Sequence, residues 1–271
     1  MTSSSTSVSR VAIIDTLRAA GCVFAEDEAD LLLSVKQPPA ELAAMVERRA
    51  GGEPLEYVLG FAAFCGLRIM VDAGVFVPRR RTEFLALQAA TLATPGAIVV
   101  DLCCGAGAIG AVVAARVPDC QLYAADIEPA AVQCARRNLE PGGGHVFEGD
   151  LYQALPSGLR GQVQVLVANA PYVPSDAIDF MPPEARDYEP LITLDGGADG
   201  LDIQRRVIAS APEWLAPGGH LLIETSERQS AATAAAFTEA GLSPRIARDE
   251  DLDATVVLGV IGVIGAIGVR R

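Results

Sequence analysis

With 271 residues, 51% of them hydrophobic, the chain is long enough for one large domain, or for a catalytic domain joined to a small one, around a packed core. A formal net charge of −13 argues against tight nucleic-acid binding through a broad basic face, though not against a local basic patch. Six cysteines with no CxxC pair, and only two histidines, give no metal-ligand spacing and read as reduced thiols of a cytoplasmic protein.

Met1–Ser9 is Ser/Thr-rich without an apolar signal core and reads as a disordered start, not a targeting segment. Apolar residues recur at helical spacing over Val8–Ala20 and Glu26–Lys36, and Pro38-Pro39 opens a third helix through Arg49. Gly51-Gly52-Glu53-Pro54 breaks this pattern, so residues 1–55 are expected to form an N-terminal helical domain. Phe61–Phe64, Leu67–Val71 and Val75–Val77 have β character, with Asp72-Ala73-Gly74 as a turn. Residues 56–80 are therefore expected to be a β-hairpin bridge, and residues 81–271 the catalytic domain.

Beyond residue 81, helix and strand alternate. Helices are expected at Thr82–Leu92, with Thr82 as N-cap, and at Ala108–Arg116, Pro129–Leu139, Leu201–Leu215 and Gln229–Ala240. Strands are expected at Ala97–Leu102, Gln121–Asp126, His145–Glu148, Val163–Ala168 and His220–Thr225, with a closing antiparallel pair at Leu242–Arg248 and Ala254–Gly259. The alternation predicts an α/β fold with a parallel sheet covered by helices on both faces. Ligands of such sheets bind at the carboxyl ends of the strands, near the switch point. The apolar run Val256–Val269, with Gly at 259, 262, 265 and 268, is too short to span a membrane comfortably and reads as a last strand with an irregular tail, a membrane or partner contact being the alternative.

Two constellations at strand ends carry chemistry. In the first, the strand ending in Val99-Val100-Asp101-Leu102 runs into Cys103-Cys104-Gly105-Ala106-Gly107 and then a helix. Gly105 and Gly107 let the backbone approach a ligand, and the helix start offers free N–H groups. Gly105, Gly107 and Gly110 satisfy GxGxxG loosely, and the glycines alone do not choose between a nicotinamide cofactor and S-adenosylmethionine. Three acids, Asp101, Asp126 and Asp150, follow three successive strands. Asp126 suits the hydroxyls of a ribose and Asp150, in Glu148-Gly149-Asp150, an adenine amino group. The second constellation is Asn169-Ala170-Pro171-Tyr172, directly after the apolar strand. An Asn followed by Pro and an aromatic residue can hold a planar nitrogen group by hydrogen bonding and stacking.

In this order, these segments resemble the class I S-adenosylmethionine-dependent methyltransferases and, more closely, the HemK/PrmC family of protein-(glutamine-N5) methyltransferases. Gly52-Glu53-Pro54-Leu55-Glu56-Tyr57-Val58-Leu59-Gly60 is similar to the family's interdomain segment. Val77-Pro78-Arg79-Arg80-Arg81-Thr82-Glu83 is similar to its Pro-Arg-Pro-x-Thr-Glu motif, and Met181–Arg186 and Asp195–Leu201 to later segments. The chain departs from the family pattern at Ala170, in place of the first Pro of Asn-Pro-Pro-Tyr, and at Cys103-Cys104, in place of Gly-Thr. It departs also at Arg80, in place of a Pro, at Leu151, in place of an aromatic, and at Glu224-Thr225-Ser226, in place of Glu-His-Gly.

The resemblance implies a Rossmann-like, mostly parallel seven-stranded sheet behind a small helical domain and a hairpin. It implies S-adenosyl-L-methionine held by Cys103, Cys104, Gly105, Ala106, Gly107, Asp126, Asp150, Leu151 and Asn169. Asn169, Pro171 and Tyr172 are the expected catalytic residues and, with Ala170, the expected binding site of a glutamine in a protein. Arg79, Thr82 and Glu83 are further candidates, Glu83 for lining the cofactor pocket; the Arg79-Arg80-Arg81 cluster would touch a substrate backbone or neighbouring phosphates. A release factor or ribosomal protein is the implied acceptor, with no metal, membrane or stable nucleic-acid partner and a monomeric state. Competing readings are a nucleic-acid amino-group methyltransferase, which would flip a base out of a duplex, a binding module that kept the fold without activity, and a nicotinamide reductase.

Overall fold

Helical periodicity near the N-terminus yields three short helices, α1 (Arg10–Ala19), α2 (Ala25–Ser34) and α3 (Pro39–Ala50). These belong to a computed structural model in which residues 9–262 are described. The expected disordered start, apart from Ser9, and the end of the apolar tail lie outside these residues. Ser9 caps α1: its hydroxyl accepts the Ala12 N–H at 3.2 Å. Ile13, Leu17, Ala29, Leu32 and Val46 form a small core of their own. A one-turn helix, α4 (Leu55–Leu59), absent from the sequence reading, follows Pro54 and ends at Gly60 in a left-handed conformation.

The hairpin is β1 (Phe61–Phe64) with β2 (Leu67–Met70); Val75–Val77, expected as β, is irregular. Next come α5 (Thr82–Leu92), β3 (Ile98–Leu102), α6 (Ala108–Arg116), β4 (Gln121–Asp126), α7 (Pro129–Leu139), β5 (His145–Glu148) and β6 (Val163–Ala168). The chain closes with α8 (Pro183–Tyr188), α9 (Asp202–Trp214), β7 (Leu215–Thr225), α10 (Ser230–Glu239), β8 (Leu242–Asp249) and β9 (Ala254–Ile261). β7 begins directly after α9, five residues ahead of the expected start. The extra length is absorbed by a register shift opposite Val163–Val165, and a side chain at Gly219 would meet the Val163 carbonyl at 2.7 Å.

The seven strands lie in the order β5-β4-β3-β6-β7-β9-β8, parallel except for the last two. Residues alternate between two cores. Val99, Val165, Val167, Leu222 and Val256 pack under α5, α6 and α7, whereas Val100, Leu166, Leu221, Ile223 and Val257 pack under α9 and α10. Burial on both faces is why these strands read as unbroken apolar runs. The order reverses at β3: the chain steps outward to β4 and β5, then returns to β6 on the other flank. The carboxyl ends of β3, β4 and β6 therefore open onto one crevice.

A buried ion cluster joins the helical region to α8. Arg49 donates to both Glu28 oxygens, at 2.6 and 3.0 Å, and its Nη1 reaches Glu184 at 2.7 Å. Removing the cation strands the Glu28 carboxylate in the interior, so Arg49→Met should destabilise the protein by about 3 kcal/mol in urea unfolding. Adding Glu28→Gln should recover most of that loss; no recovery would show that lost packing, not the stranded charge, sets the cost.

Candidate active site

The turn after β3 carries three residues with positive φ: Cys103 (54°), Gly105 (53°) and Gly107 (79°). Glycine adopts this region freely, whereas Cys103 is strained by about 1–2 kcal/mol. Hydrogen bonds tie the turn to the next strand. Cys104 N–H donates to the Ala125 carbonyl at 3.1 Å, and Gly105 N–H to Asp126 Oδ2 at 2.8 Å. The other Asp126 oxygen accepts Glu128 N–H at 3.0 Å. Burial pushes the Asp126 carboxyl up, and these backbone donors pull it back. Burial also pushes both adjacent thiols up, Cys103 and Cys104, so they stay protonated at neutral pH.

On the other side of the crevice, β6 ends at Ala168 and delivers Asn169. Its Nδ2 donates to the Thr82 hydroxyl at 3.4 Å, which leaves Oδ1 as its unengaged acceptor. Among the described residues, neither Asn169 Oδ1 nor the Ala170 carbonyl accepts a hydrogen bond. The Tyr172 phenol donates to Glu224 Oε1 at 3.2 Å, and its carbonyl accepts from Gln229 Nε2 at 2.9 Å. Burial and the Glu224 carboxylate push the Tyr172 phenol up, so it remains a donor. Val173 then exchanges backbone hydrogen bonds with Leu194 and Gly196, which draws Ile192–Leu194 into the wall.

One cleft is lined by Cys103, Cys104, Gly105, Ala106, Asp126, Asp150, Leu151, Asn169, Ala170, Pro171 and Tyr172, with Arg79 and Thr82. Gly107 sits behind it, against Leu139 and Ala135. Several expectations are corrected. Thr82 is no N-cap: α5 is preceded by Arg81, and the Thr82 side chain is buried beside Asn169. Glu83 does not line the cleft; one step along the helix turns it to the hairpin, where it accepts Cys65 N–H at 2.9 Å. Asp101 lies inside β3, wholly buried, accepting Gly110 N–H at 3.0 Å. Asp150 stays in the cleft lining, where it pairs with Arg206 at 2.5 Å. The arginine cluster is spent mostly inward: Arg79 pairs with buried Glu189 at 2.5 Å and Arg81 lies 3.5 Å from Glu224.

The lining also includes residues that were not among the expected site residues: Phe76, Ile127, Met181, Ile192, Ile203 and Arg206. Only Met181 carried a signal, as the first residue of a family-like segment; the others come from loops and from α9 by folding.

Burial holds the Asp101 carboxyl at about 7, with the Gly110 N–H opposing and the Asp126 charge adding. A carboxyl raised in the folded state contributes stability that is complete below its unfolded pKa, near 4, and is lost as pH rises through about 7. Melting temperature should therefore fall between pH 5 and pH 8 more steeply in the natural protein than in Asp101→Asn, which keeps an acceptor for Gly110. Equal slopes would assign the pH dependence elsewhere.

Residues 66–181 match the family described as methyltransferase small domain. A release factor glutamine methyltransferase of Geobacter sulfurreducens is 38% identical, over 79% of this chain and 77% of that protein. A 4-amino-L-phenylalanine/4-methylamino-L-phenylalanine methyltransferase of Streptomyces pristinaespiralis is 34% identical, over 83% and 78%. The crystal structure of a methyltransferase from Pyrococcus furiosus superposes with a TM-score of 0.56 at 17% identity, covering 74% of this chain and 92% of that one, a likeness of fold.

Proposed function

The chain belongs to the release factor glutamine methyltransferase family, and on that premise we propose that it transfers a methyl group from S-adenosyl-L-methionine to the side-chain amide nitrogen of a glutamine in a protein. The supporting observation is the meeting of two constellations, far apart in sequence, in one cleft: Cys103–Ala106 with Asp126, and Asn169–Tyr172.

The residues present fit the cofactor. Gly105 has open space where a side chain would stand, with Phe76 Cβ at 4.0 Å as its nearest neighbour. Asp126 offers a carboxylate whose two oxygens each retain acceptor capacity beyond one backbone donor. Ile127 and Leu151 supply apolar surface beside it. When bound, S-adenosyl-L-methionine supplies an electrophilic methyl carbon, whose bond to sulfur is exchanged for one to nitrogen.

An amide nitrogen is a poor nucleophile because its lone pair is delocalised into the carbonyl. Asn169 Oδ1 and the Ala170 carbonyl are two unengaged acceptors for the two amide N–H groups. They fix the nitrogen and favour the positive charge that grows on it, after which one proton leaves to water. Pro171 stiffens the loop, and Tyr172 closes the acceptor side. Ala170 keeps the carbonyl that the family's Pro would supply and gives up only rigidity.

In this reading residues 1–55 recognise the acceptor protein, residues 56–80 bridge, and residues 81–271 catalyse. The protein acts as a cytoplasmic monomer without a stable nucleic-acid partner; among the described residues no helix is long and apolar enough to cross a membrane. Incubating the purified protein with methyl-labelled S-adenosylmethionine and a release factor, a ribosomal-protein mixture, 4-amino-L-phenylalanine or single-stranded DNA tests the acceptor. Mass spectrometry should place the label on a glutamine amide. Label confined to the aromatic amine or to the nucleic acid would overturn the assignment.

A further inference from the structure

The acceptor side of the cleft is backed by a buried acid that the mechanism above does not use. Glu224, in β7, is 1% exposed. Its Oε1 accepts the Tyr172 phenol at 3.2 Å and lies 3.5 Å from Arg81 Nε, while Oε2 has no hydrogen-bond partner among the described residues. The Arg81 guanidinium also lies over the Tyr172 ring, 5.9 Å from its centroid. Glu224 is itself held: its carbonyl accepts Gln204 Nε2 at 3.2 Å, and Gln204 Oε1 accepts the Thr233 hydroxyl at 2.9 Å. Burial pushes the Glu224 carboxyl up, opposed by Thr82, Arg81 and Tyr172. The same Thr82 hydroxyl receives the Asn169 amide.

One carboxylate thus meets two side chains of the cleft wall, Tyr172 and Arg81. An ionisable group in a core carries a desolvation penalty that an apolar residue of like volume would not, so its burial here is weak evidence for a role in stability. Tyr172 and Arg81 both have rotamer freedom that a fixed buried acceptor removes.

We propose that Glu224 is a positioning residue for the methyl acceptor: it locks the Tyr172 ring and the Arg81 guanidinium in the wall against which the planar nitrogen group is oriented. This rests on the amide-methylation reading. Because only orientation is at stake, the loss on mutation belongs in kcat and not in cofactor affinity.

The test is steady-state methyl transfer to a glutamine-bearing acceptor, with cofactor Kd by calorimetry and melting temperature, for the natural protein, Glu224→Gln, Tyr172→Phe and the double variant. Glu224→Gln is expected to lower kcat at least tenfold, with Kd changed less than twofold and the double variant no worse than Tyr172→Phe. A kcat within twofold of natural overturns the proposal, as does an additive double variant, or a loss of Kd in step with melting temperature. Should Glu224→Gln not fold, Tyr172→Phe decides alone: removing one hydroxyl must lower kcat about tenfold at unchanged Kd, and an unaffected kcat overturns the proposal. An inactive natural protein would overturn the function assigned above and this proposal with it; activity there with an unaffected Glu224→Gln overturns this one only.

Discussion

Asn169→Ala should lower kcat about 10²–10³-fold, the usual cost of deleting one preorganised group that stabilises developing charge. The cofactor Kd should stay within about threefold. Asn169 lines the cleft and has one unengaged acceptor, Oδ1, while its Nδ2 is tied back to Thr82. Alanine removes that acceptor and leaves the Ala170 carbonyl, so the acceptor nitrogen would keep one of its two anchors and swing about it. A nitrogen free to rotate loses both its aim and the stabilisation of its growing charge. Single-turnover rates at saturating cofactor, beside calorimetric titration of the cofactor, separate the two effects. Undiminished methyl transfer with the cofactor bound would remove Asn169 from the chemistry.

Gly107→Val should abolish measurable cofactor binding and cost about 2–5 kcal/mol of stability. Two causes add. The backbone there has φ +79°, which an L-residue adopts at about 1–2 kcal/mol. A Cβ would meet Leu139 Cδ1 at 2.9 Å and Ala135 Cβ at 3.3 Å, overpacking worth about 1–3 kcal/mol. Because α7 is packed into the core through Val132, Cys134 and Ala135, the turn must yield, and with it the hydrogen bond from Gly105 N–H to Asp126. Gly105→Ala is the control. It carries the φ penalty but has open space, so it should retain more affinity than Gly107→Val. Equal losses in both variants would refute the packing argument. Denaturant melts and cofactor titrations read the two quantities independently.

Much of the architecture was legible because its signals are local. Apolar runs and turn glycines located six of the seven sheet strands to within a residue or two; β7 began early because a register shift lengthens it without changing the apolar pattern. The 103–107 turn and the 169–172 segment announce themselves as strand-end punctuation. Conversely, α4 is one turn long, too short for periodicity to register.

Side-chain destinations were less legible. The Arg79-Arg80-Arg81 run read as a free basic patch, yet Arg79 finds Glu189 and Arg81 finds Glu224, each more than 100 residues distant. Thr82 and Glu83, adjacent in the same motif, diverge because a helix turns about 100° per residue: one faces Asn169, the other the hairpin. Asp101 looked like a third strand-end acid, but the strand continues one residue past it and buries it. Local sequence set the strands, the turns and the two chemical motifs, since backbone propensity and burial pattern act over a few neighbouring residues. Which charges face the cleft and which face each other emerged from the packed fold, because charge pairing is settled by distance in space, which chain separation does not encode.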